Sequence, residues 1–88
     1  MRGELDGRNI TTCFAFHALI REALRFPAWY GGNLDALYDC LTDLPAGSEL
    51  VISHFDELEA HLGPAYTSRI RRVLDDAAGE GRFSWRRT

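Results

Sequence analysis

Three short strand-like runs are each separated from the next by two helix-like runs. This order constrains the fold more than any single motif does. The runs are Glu4-Leu5-Asp6, Leu50-Val51-Ile52 and Phe83-Ser84-Trp85. Tight hairpins join antiparallel strands, whereas crossovers as long as these join parallel ones. The sequence therefore predicts an α/β fold with a small parallel sheet packed by helices. Eighty-eight residues with an apolar fraction of 45% suit one domain, residues 1–88, with one core.

The helical runs are read from their periodicity. Phe16, Leu19, Ile20, Ala23 and Leu24 predict a helix over 14–25, capped by Thr11 or Thr12, with Arg21, Glu22 and Arg25 on its wet side. His17 falls off that stripe and reads as a boundary residue. Pro27 ends the helix, because a residue before proline is pushed out of helical space. Leu44 to Ser48 is a turn. Ser53 with Asp56 resembles a capping box for a short helix carrying Phe55, Leu58 and Leu62, which Gly63-Pro64 breaks. Ile70, Val73, Leu74 and Ala77 predict a last helix over 65–80, closed by Gly79 and Gly81. Arg86-Arg87-Thr88 reads as a polar tail.

Between Pro27 and Leu44 lies the stretch with functional character. Trp29 and Tyr30 precede Gly31-Gly32, so at least one of these aromatics is expected to be exposed. Asn33 reads as an N-cap. Leu34, Leu37 and Leu41 then form one helix face, and Asp35, Asp39 and Asp43 form another. Tyr38 lies between the two faces. Each step of four advances the acidic row about 6 Å. Like charges four apart repel by roughly 0.2–0.5 kcal/mol per pair, and no Lys or Arg within the helix offsets them. Such a row suits a partner that brings positive charge.

Charge is segregated along the chain. No Lys or Arg occurs from Phe26 to Ser68, a segment that sums to −7, while residues 1–25 sum to +1 and residues 69–88 to +3. All ten basic residues are Arg. An acidic middle repels nucleic acid and draws basic proteins. The aromatics could stack on single-stranded RNA only beside a basic groove, which this segment lacks. The expectation is therefore a basic protein partner, with no nucleic acid.

Other chemistry is sparse. The sequence contains no glycine-rich phosphate loop, nucleophile elbow or helical His pair at metal-binding spacing. His54 and His61 are seven apart, a weak ligand signal. Asp35 and Asp39 could hold a divalent ion in a hydrolase, the main alternative to a binding protein, but the segment has no base for a substrate phosphate. Cys13 and Cys40 are too few for a disulfide scaffold or zinc site, and Cys40 reads as a buried filler. With no leader and no apolar run of spanning length, the expectation is a cytoplasmic protein, off the membrane, monomeric when free, with no cofactor, metal or catalytic residues.

The same stretch closely resembles the barstar family of intracellular ribonuclease inhibitors. The likeness rests on Tyr30-Gly31, Asn33-Leu34-Asp35-Ala36-Leu37 and Asp39-Cys40-Leu41-Thr42. It extends back through Gly7, Ile10, His17 and Leu24, and returns at Val73, Ala77 and Glu80-Gly81. The resemblance implies a barstar-like fold, three parallel strands with about four helices. It also implies an antitoxin or immunity protein whose acidic helix and preceding loop plug the active site of a basic, secreted ribonuclease, barnase-like or guanyl-specific. On that reading Asp39 takes the place of the substrate phosphate and Asp35 pairs with a further base. Trp29 and Tyr38 pack around them, Asp76 makes a peripheral acidic contact, and Asn33, Leu34, Thr42, Asp43 and Leu44 complete the surface. Relative to the family pattern, Trp29 and Tyr38 look exchanged, Trp for Tyr and Tyr for Trp. Leu44 stands for a Trp, Asp43 for a Gly and Asp76 for a Glu. An Asp at position 43 is expected to close the helix in left-handed geometry. An immunity or regulatory protein for a different basic partner would keep the same fold.

Overall fold

The computed structural model describes residues 1–88. Strand β1 (Arg2–Asp6) runs into a single 3-10 turn (Gly7–Asn9), then helices α1 (Cys13–Ala23) and α2 (Leu34–Thr42). Strand β2 (Ser48–Ser53) follows, then α3 (Phe55–Leu62), α4 (Pro64–Ala78) and β3 (Phe83–Arg87). The expected order of elements is therefore observed. The three strands form one parallel sheet in the order β1-β2-β3, with Arg2 beside Glu49 and Ser48 beside Phe83.

That strand order explains where the helices lie. Both crossovers step in the same direction, and right-handed crossovers that do so lay their helices on one face of the sheet. Gly3 lets β1 approach α1 closely: a Cβ there would sit 2.6 Å from Leu24 Cδ2 and 2.9 Å from the Ala23 carbonyl oxygen. The strand order never reverses, so the sheet lacks the switch-point crevice at which doubly wound folds hold ligands. The core lies under the helices. It joins Leu5, Leu50 and Ile52 of the sheet to Phe16, Ile20, Leu37, Leu41, Leu58, Ile70 and Leu74. One buried side-chain polar atom, Thr67 Oγ1, lacks a hydrogen-bond partner.

The opposite sheet face carries an ion-pair ladder. Arg2 approaches Glu4 (3.7 Å) and Glu49 (3.8 Å), and Arg86 reaches Glu49 (3.6 Å). This ladder gives the basic C-terminal residues a structural role. Residues 86 and 87 continue β3, where a polar tail was expected, and the Arg87 guanidinium lies 4.6 Å from the centre of the Phe55 ring. Trp85 donates its indole N–H to Asp75 (2.9 Å).

Several local expectations are corrected. Ser53 does not cap α3, because it is held in the ladder opposite Asp6, and its hydroxyl donates to the Leu5 carbonyl (3.3 Å). His54 occupies the cap position with φ 52° and no side-chain cap. Gly63-Pro64 does end α3, as expected, but the last helix starts one residue earlier than expected, at Pro64, whose missing N–H costs nothing there. Helix α1 ends before Pro27 can act. Leu24 is its C-cap, Arg25 adopts φ 54°, and the Phe26 N–H reaches back to the Arg21 carbonyl (2.9 Å). That pattern is a Schellman turn with Arg in the usual glycine position.

Candidate functional site

The segment Phe26–Asn33 is pinned at two points. Phe26 and Tyr30 are buried with ring centres 5.0 Å apart, and the Tyr30 N–H closes a turn onto the Pro27 carbonyl (3.0 Å). Anchoring these two rings turns Trp29 outward, where it is 67% exposed. One exposed aromatic meets the expectation of at least one beside Gly31-Gly32. Gly32 takes φ +68°, a conformation open to glycine, and directs the chain into α2.

His17 holds the second anchor from beneath, which corrects its reading as a boundary residue. It is only 5% exposed. Its Nδ1 meets the Tyr30 hydroxyl at 2.5 Å and its Nε2 meets the Tyr66 hydroxyl at 2.8 Å. A neutral imidazole donates from one nitrogen and accepts at the other, so one tyrosine donates to it and the other accepts. Burial pushes the His17 pKa below its usual value and pushes both tyrosine hydroxyls up. The network ties the loop to α1 and α4.

Asn33 caps α2 as expected, its side-chain oxygen accepting from the Ala36 N–H (2.8 Å). Leu37, Cys40 and Leu41 face the core, Leu34 and Tyr38 are half-buried, and Asp35, Asp39 and Asp43 are exposed. No ion pair involves any of these three carboxylates. Burial, reinforced by Asp43 and Asp39, pushes the Cys40 thiol up, away from nucleophilic character. Asp43 closes the helix with φ −91° and ψ −3°, so the expected left-handed geometry does not occur.

The remaining residues expected to bind a partner fall in different settings. The Thr42 hydroxyl turns back onto its own helix, toward the Tyr38 (3.1 Å) and Asp39 (3.0 Å) carbonyls. Leu44 is a core residue, 6% exposed, and reaches the surface only as part of a groove beside Trp29. Asp76 is exposed on α4, the helix against which α2 packs. His54 sits 3.3 Å from Asp6 and His61 donates to the Ile10 carbonyl (3.0 Å), so the two face different partners. No three His, Cys, Asp or Glu side chains converge as metal ligands do.

Three clefts border the loop and α2. One lies between Phe14, Ala18 and Arg21 of α1 and Gly31-Gly32. A second surrounds Trp29, with Arg25, Asp43 and Pro45 in its wall. The third places Asn33 and Asp35 opposite Tyr66 and Arg69 of α4. Sequence reasoning missed all three arginines as neighbours of the acidic face, because they come from outside the segment that forms it.

Fold and face together define a small α/β protein with a one-sided parallel sheet that presents an acidic helix and an exposed tryptophan. The Barstar family, described as barnase inhibitor, matches residues 2–86. A Bacillus subtilis (strain 168) protein named "Putative ribonuclease inhibitor YrdF" is 38% identical over 79 residues, covering 86% of this chain and 84% of that protein. The chain belongs to the Barstar family. No helix is long and apolar enough to cross a membrane.

Proposed function

We propose that this chain is a ribonuclease inhibitor, an antitoxin or immunity protein that acts in the cytoplasm on a basic ribonuclease of barnase-like or guanyl-specific type. Helix α2 and the loop before it enter the enzyme's active site. Asp39, at the middle of the row, occupies the place of the substrate phosphate among basic side chains, and Asp35 pairs with a further base. Trp29 and Tyr38 exclude water around those pairs, a combination typical of interface hot spots. Asn33, Thr42, Asp43 and Asp76 form the polar margin, Leu34 adds an apolar contact, and Leu44 lies in the groove beside Trp29. The observation that carries this reading is the row itself: three exposed carboxylates on one helix, beside a 67% exposed Trp, without a single ion pair. Family membership supports the choice of a ribonuclease as the target.

The competing chemistry is a hydrolase that uses Asp35 and Asp39 to hold a divalent ion. Assaying the purified chain on RNA with added Mg²⁺ or Mn²⁺ separates the two. The inhibitor reading expects intact RNA. Metal-dependent cleavage that Asp35→Ala abolishes would replace it with the hydrolase.

A further inference from the structure

We propose that the partner's basic site is ringed by acidic groups, and that Arg21, Arg25 and Arg69 pair with them. This inference rests on the ribonuclease-inhibitor reading and adds the charge pattern that the enzyme must present. Each of the three clefts around the loop and α2 holds one of these arginines. All three are exposed, and none lies within 4.0 Å of a carboxylate. Arg2, Arg8 and Arg86 make ion pairs; Arg71, Arg72, Arg82 and Arg87 make none either, but they line none of these three clefts. Arg25 and Arg69 share their clefts with Asp43 and Asp35, yet remain apart from them.

Two of the three also have distinctive settings. Arg69 lies over the Tyr66 ring, 5.8 Å from its centre, and the Tyr66 hydroxyl is fixed by His17. Arg25 sits at φ 54°, where a side chain is disfavoured and glycine is not. A plug that relied on negative charge alone would bind a basic enzyme better without these three cations. Their placement fits a partner whose basic centre gives way to carboxylates at the margin. A guanidinium can take such carboxylates in a two-pronged contact.

The test uses barnase as the probe and compares the wild type, Asp39→Ala and a triple variant, Arg21→Gln/Arg25→Gly/Arg69→Gln. An unpatterned acidic field predicts tighter binding by the triple variant, which loses three positive charges. Rim pairing predicts weaker binding. Exposed ion pairs are individually weak, so losing three of them amounts to about a tenfold loss of affinity. Arg25→Gly relieves a left-handed position and alone should raise the thermal midpoint by about 4 °C; the triple variant's own midpoint, measured beside binding, should not fall below that of the wild type, so weaker binding is read on folded protein. Equal or tighter binding by the triple variant, with inhibition still abolished by Asp39→Ala, overturns the acidic rim and leaves the inhibitor reading standing. A folded wild type that does not inhibit barnase overturns the inhibitor reading for this enzyme type, and the rim with it.

Discussion

Asp39→Ala should weaken binding to a basic ribonuclease a hundredfold or more, while Asp43→Ala should cost less than tenfold. Both residues are exposed in the free protein and belong to the same row. They differ in position. Asp39 is central, beside half-buried Tyr38, so a plugged complex removes it from water together with the bases it meets. Removing one member of a desolvated pair leaves the other charged and unpaired, at a cost of about 3–5 kcal/mol. Asp43 closes the helix at its last turn and stays wet, where a pair contributes about 0–1 kcal/mol. Free-state stability should move the other way. Asp39 repels both Asp35 and Asp43, so Asp39→Ala removes two like-charge pairs of roughly 0.2–0.5 kcal/mol each and adds helix propensity. Dissociation constants paired with urea midpoints check both halves. Equal losses at the two positions would mean that the row only steers association.

The second large effect is on the fold. His17→Leu should destabilise the chain by about 2–4 kcal/mol, because it keeps most of the volume but strips two tyrosine hydroxyls of their buried partner. For a domain of this size that corresponds to a thermal midpoint roughly 10–25 °C lower. The loss concerns the site as well, since Tyr30 is one of the two anchors of the loop that presents Trp29.

His17 also gives the wild type a pH signature. Its folded pKa lies below the usual 6.5, so near and below that pH the unfolded chain binds a proton that the folded chain refuses. Stability is therefore full above about pH 6.5 and falls as the pH drops through the lowered folded value. The Leu variant should lose that slope. Asp6 acts in a separate window. The Arg8 side chain, then the Arg8 backbone N–H, hold its carboxyl down at about 2, so its contribution disappears only as the pH falls from the ordinary carboxylate range toward 2. Unfolding midpoints measured from neutral to acid pH resolve the two. An unchanged slope in His17→Leu would assign the acid sensitivity elsewhere.

Much of the fold was legible because its signals are local. Leu34, Leu37 and Leu41 separate from Asp35, Asp39 and Asp43 within nine residues, so the site helix and its two faces follow from spacing alone. The crossovers between strands follow from the order of periodic segments. The cap of α2 was readable for the same reason, since Asn33 bonds only three residues ahead. What was missed depends on partners distant in sequence. Ser53 looked like a cap until its ladder partner Asp6 was known. Arg86 and Arg87 had no role until Glu49 and Phe55 were placed beneath them. The acidic segment looked free of bases because Arg21, Arg25 and Arg69 reach it from other elements. His17 is a different case, because a signal was present. It stands at i, i+3 and i+7 with Ile20 and Leu24, in phase with the buried face, although the stripe drawn through Phe16, Leu19, Ile20, Ala23 and Leu24 left it out.

Titrating the purified chain into a small basic guanyl-specific ribonuclease and following residual RNA cleavage tests the plug most directly. Activity should fall linearly to near zero at one equivalent of inhibitor, and the same amount of Asp39→Ala should leave most of the cleavage intact. Undiminished cleavage at several equivalents of folded wild-type protein, across enzymes of this type, would contradict the plug.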